Sequence, residues 1–98
     1  MQVRVEFGGG LEILFGGRKA LDLELPESKH ENWNIGKLIE YLRENFIKER
    51  EELFATGEKI RPGILVLVND VDYEIYGATS YTLKQNDTIL FISTLHGG

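Results

Sequence analysis

The sequence predicts an α+β domain, a mixed sheet of four to five strands covered on one side by one main helix. Three observations predict it. Apolar residues alternate at Val3, Val5 and Phe7; one stripe at helical spacing occupies the middle; and two runs in the second half, Ile64–Val68 and Ile89–Ile92, are apolar on both faces. A chain of 98 residues supports one domain with one modest core, so 1–98 is read as a single domain and 94–98 as its flexible Gly-Gly tail.

The elements follow in order. Val3, Val5 and Phe7 alternate with Gln2, Arg4 and Glu6, a strand with one buried face that Gly8-Gly9-Gly10 ends. Leu11–Phe15 is short and apolar, and a strand extension and a helical turn both fit it, so the conformation of 8–19 stays open. Leu21, Leu23 and Leu25 form a second strand paired with the first. A polar stretch from Glu27 to Asn32 crosses to the helix. There Ile35, Leu38, Ile39, Leu42 and Phe46 make one apolar stripe, Asn34 stands at the N-cap, and Lys37, Glu40, Arg43 and Glu44 take the opposite side. Leu53 and Phe54 anchor a second short turn, and Pro62-Gly63 turns the chain into Ile64–Val68. Asn69-Asp70 reverses it into a short strand over Val71–Ile75, and Asn86-Asp87 leads into a last strand over Thr88–Thr94. One helix covers only one side of such a sheet. The β-grasp arrangement fits this order, with the last strand central beside the first and the tail leaving the sheet's end.

Composition narrows the function. A net charge of −5, with basic residues scattered among acids, argues against a direct nucleic-acid binder, which would carry a basic stripe. No apolar run approaches a membrane span. Without cysteine there is no disulfide, thiolate nucleophile or thiolate metal site, and the only histidines, His30 and His96, lack companions at ligand spacing, so no metal is expected. Gly16-Gly17-Arg18-Lys19 leads into a strand rather than a helix, unlike a P-loop. Ser28, Ser80 and Ser93 lack a triad context. The chain reads as a substrate of enzymes, not an enzyme, with no bound cofactor.

Two candidate sites remain. After the last strand come Leu95, His96, Gly97 and Gly98. Glycines without Cβ can be threaded into a narrow channel of another enzyme, delivering the terminal carboxylate of Gly98. A chain-terminal carboxyl ordinarily titrates at about 3.3–3.7, so at neutral pH this group is ionised and a poor electrophile. Its use requires activation, normally as an acyl-adenylate made from ATP. The second site is a partner surface. If Ile89 and Phe91 face the helix, Leu90 and Ile92 face away from it with alternate residues of Ile64–Val68, and contiguous exposed apolar area marks an interaction face. The competing expectation is that Leu11–Phe15 or the crossover folds over that face.

The segment Ala78 to Gly98 resembles the end of ubiquitin: Tyr81 before the final turn, Asp87-Thr88, the strand Ile89 to Ile92, then Leu95-His96-Gly97-Gly98. Thr94 and His96 stand where ubiquitin has arginines, which implies a dedicated activating enzyme. Over nearly its full length the chain resembles the ubiquitin-related modifier family. The resemblance rests on Val5-Glu6-Phe7-Gly8-Gly9, Glu49-Arg50, Arg61 to Asp70, and Asp87 to Gly98. It implies an E1-like activating enzyme with a rhodanese-like sulfurtransferase domain, which adenylates Gly98 with ATP and converts it to a thiocarboxylate. It further implies that a cytosolic tRNA thiolase complex takes this sulfur for 2-thiolation of the wobble uridine, and that target-protein lysines accept the same terminus in isopeptide bonds. Leu95, His96 and Gly97 would serve tail recognition. A cytoplasmic location, with the nucleus as a second compartment, goes with these roles. The rival readings are a protein tag or interaction module without sulfur transfer, and a small subunit of the molybdopterin-synthase type.

Overall fold

The computed structural model describes residues 1–27 and 32–94. Its strands are β1 (Gln2–Gly8), β2 (Ala20–Glu24), β3 (Ala55–Thr56), β4 (Lys59–Ile60), β5 (Ile64–Val68), β6 (Val71–Asp72) and β7 (Asp87–Ser93), and its α-helix is α1 (Ile35–Phe46). The main sheet runs β2-β1-β7-β5-β6, and β3 and β4 form a separate small hairpin. β1 and β7 are parallel, with Val5 opposite Ile89 and Phe7 opposite Phe91, while the other pairs in the sheet are antiparallel. The mixed sheet under one main helix is the predicted architecture.

The period of each segment accounts for its layer. Val3, Val5 and Phe7, with Leu21 and Leu23, Ile64, Val66 and Val68, and Ile89 and Phe91, are all buried on one side of the sheet. The helix lays Ile35, Leu38, Ile39 and Leu42 into the same core, each fully buried. Asn34 caps it as expected, its Oδ1 accepting from the Lys37 amide at 2.8 Å. Gly36 is buried because the β3–β4 hairpin presses on it: a Cβ there would meet Glu58 Oε1 at 3.1 Å.

The open question at Leu11–Phe15 resolves as a 3-10 turn. Phe15 stacks on Phe7 with ring centroids 3.9 Å apart and meets Phe54 edge-on at 5.3 Å, and Phe54 in turn meets Phe91 at 5.2 Å. This turn therefore closes the end of the core on the helix side, and the far face of the sheet is not what it covers.

Two expectations are corrected. The strand expected over Val71–Ile75 stops at Asp72, because the Asp72 carboxylate accepts the Glu74 amide at 2.9 Å and starts a 3-10 turn over Tyr73–Tyr76. The short turn expected at Leu53 and Phe54 is present, as a 3-10 turn over Glu51–Leu53, and leads into the β3–β4 hairpin, whose strands have too few residues to show alternation. Asp87, read as a turn residue, is the first residue of β7 and is buried.

Candidate functional site

The site is built on β7, the central strand, whose two ends are held by different devices. At its start, Asp87 is only 5% exposed, the one buried polar or charged residue among those described. Burial of a carboxylate requires hydrogen-bond partners, and here there are three. The Tyr81 hydroxyl donates at 2.8 Å, the Lys84 amide at 2.9 Å and the Asn69 amide group at 2.9 Å. Asn69 Oδ1 accepts the Thr88 amide at 2.9 Å, and the Asn69 amide donates to the Thr88 carbonyl at 2.8 Å, so the β5–β6 turn is bolted to β7. Burial and the adjacent Asp87 push the Tyr81 phenol up to about 12, keeping it a neutral donor. In the sequence, Asp87 and Asn69 read only as turn residues. Their partnership joins positions 18 apart, and no local period announces it.

At its end, β7 runs between two glycine turns. Gly9 sits at φ 66°, and a Cβ there would run into the Ser93 carbonyl, so the chain leaving β1 crosses the end of β7 at a distance only glycine allows. On the other side the Gly63 carbonyl accepts both from the Thr94 amide at 2.9 Å and from the Thr94 hydroxyl at 2.6 Å. Gly63, at φ 96°, belongs to the predicted Pro62-Gly63 turn. The last residues before the tail are thus held in a fixed direction. Leu95, His96, Gly97 and Gly98, the tail residues singled out from the sequence, lie outside the described residues, as do Ser28 and His30.

Leu90 and Ile92 are on the face away from the helix, as predicted, and both are half-buried. Leu90 stands between Leu67 of β5 and Glu6 of β1, and Ile92 between Leu65 and Gly8. Leu65 is 46% exposed. The four form an apolar strip that ends at the root of the tail. On β1 and β2 it is flanked by Arg4, which pairs with Glu6 at 2.9 Å and Asp22 at 3.0 Å. Such exposed pairs contribute little to stability; they bound the strip with charge instead. Among the described residues no group of His, Cys, Asp and Glu could hold a metal ion, and no helix is long and apolar enough to cross a membrane.

The family model Urm1 (Ubiquitin related modifier) matches residues 2–98. The chain belongs to the ubiquitin-related modifier family. Ubiquitin-related modifier 1 of Gallus gallus is 52% identical over 98 residues, covering 100% of this chain and 96% of that protein. The solution structure of Urm1 from Trypanosoma brucei matches with a TM-score of 0.82 at 43% identity, over 99% of this chain and 95% of that one. SAMP1 from Haloferax volcanii matches over the full length of both chains with a TM-score of 0.74 at 13% identity, a likeness of fold alone. The fold of this family member is accordingly the ubiquitin-like β-grasp, in agreement with the resemblance read from its motifs.

Proposed function

We propose that the chain is a sulfur carrier whose reactive group is the carboxylate of Gly98. An E1-like activating enzyme with a rhodanese-like domain supplies ATP; the carboxylate attacks the α-phosphate and pyrophosphate leaves, giving an acyl-adenylate. A persulfide sulfur of that enzyme then displaces AMP, and a second thiol opens the resulting acyl disulfide, leaving a thiocarboxylate and a disulfide between the two thiols. A cytosolic tRNA thiolase takes the sulfur for the wobble uridine, and lysine amines of target proteins compete for the same activated terminus. The carrier itself binds no cofactor and no RNA.

The observation that carries this reading is membership of the ubiquitin-related modifier family through residue 98, with Gly97-Gly98 inside the match. The geometry agrees with it. A tail delivered into another enzyme's active site needs a rigid base, and β7 is central in the sheet, clamped at Gly9 and Gly63, and bordered by an apolar strip that fits a partner. Leu90 and Ile92 are assigned to contact with the activating enzyme, while Leu95, His96 and Gly97 guide the tail. The test is the intact mass of the protein isolated from its native cell without reductive workup. A fraction with one oxygen replaced by sulfur supports the carrier; isopeptide-linked species without it favour a tag, and neither product favours an interaction module.

A further inference from the structure

We propose that the groove between the Leu11–Phe15 turn and the C-terminal end of α1 docks an acidic segment of a partner protein carrying a bulky apolar side chain. The groove is open to solvent and has a volume of about 700 Å³. Ile13, Leu14 and Phe46 line it together with Arg18, Lys48 and Arg50. The turn buries Leu11 and Phe15 in the core but holds Ile13 out, 77% exposed. Core packing explains the first two residues and not the third.

The charges are uneven as well. In a chain of net charge −5, three cations gather at this groove against one acid, Glu49. Arg4 and Arg43 each pair with two carboxylates. Among the described residues, by contrast, Arg18, Lys48 and Arg50 form no ion pair. A lining of cations and apolar side chains complements a segment with the opposite charge and an apolar anchor: the charges speed and orient encounter, and the buried anchor supplies affinity.

The position gives such a contact a use. Phe15 packs on Phe7, on the helix side of the sheet, so the groove lies across the sheet from Leu65, Leu67, Leu90 and Ile92. Through Gly9, which crosses Ser93, the turn is also close to the root of the tail. Two proteins can therefore occupy the domain together, one on the open sheet face and one in the groove. The proposal does not depend on what chemistry Gly98 undergoes.

The experiment titrates the isotope-labelled full chain with a capped peptide, Glu-Asp-Leu-Phe-Asp-Glu, and follows backbone amide shifts at low salt. The expected result is shifts confined to residues 13–18 and 45–50. Affinity should fall about tenfold for the double variant Arg18→Glu/Lys48→Glu, and by a similar factor for Ile13→Asp. A peptide with serines in place of Leu-Phe should bind far more weakly than the parent. All three altered residues are exposed, so amide positions outside the groove should stay unchanged. The proposal is overturned if shifts are absent or centre on another face. It is equally overturned if the serine peptide, or a short single-stranded oligonucleotide, binds the groove as tightly as the parent peptide, since charge alone would then account for it.

Discussion

Gly63 accepts two hydrogen bonds from Thr94, and only one of them can be removed without touching the backbone. Thr94→Val deletes the hydroxyl and keeps the shape of the side chain. Because the bond is exposed, stability should change little, whereas adenylation should slow through kcat rather than KM, as a looser base spreads the directions from which the carboxylate arrives. Deleting Gly98 is the harsher test. It sets the carboxylate back by up to about 3.6 Å, and sulfur transfer and conjugation should both vanish while the melting temperature holds. A truncated chain that still gains sulfur by intact mass would refute the carrier mechanism. At the other end of β7, Tyr81→Phe removes one of three donors from buried Asp87 and should cost about 1–3 kcal/mol in denaturant unfolding. The sign of its pH dependence follows from the raised phenol. The unfolded chain gives up this proton near the ordinary value of about 10, so the contribution is complete below that pH and is lost as pH rises through about 12. Absorbance titration of the phenols should show a late-titrating tyrosine that Tyr81→Phe eliminates.

At the scale of elements, the two faces of the sheet should answer mutation differently. Leu42, fully buried on α1, belongs to the core, and Leu42→Ala should cost about 2–5 kcal/mol without altering activation of the protein that remains folded. Leu90→Asp/Ile92→Asp changes the half-buried outer face and should weaken adenylation while leaving the amide spectrum of the helix side intact; a double variant activated at the normal rate would remove this face from the mechanism. The division between these faces was legible in the sequence because it rests on period alone. Spacing marks Ile35 to Phe46 as a helix, and a strand apolar on both sides under a single helix leaves Leu90 and Ile92 uncovered. What resisted reading depends on contacts distant in sequence or on elements too short to have a period. Leu11–Phe15 is apolar whichever way it folds, and only the stacking of Phe15 on Phe7 distinguishes a turn from a strand. Thr94 meets Gly63 across 31 positions. The buried Asp87 looks, in sequence, like any acid beside an asparagine.

For the whole molecule, the net charge of −5 sets an expectation about RNA. The isolated chain should not retard transfer RNA in a gel at physiological salt. The order of the sheet has a further consequence, for synthesis. β1 precedes β7 by most of the domain, yet the two lie side by side at the centre, with β5 reaching the rest of the sheet only through β7. While the ribosome is still short of residue 87, β1 and β2 have no central neighbour and α1 has only part of a surface to pack on. Closing that central pair joins residues nearly a full chain apart, a slow step for a domain this small. Until residues 87–93 are in place, the sheet face formed by Leu65, Leu67, Leu90 and Ile92 therefore does not exist for a partner to meet.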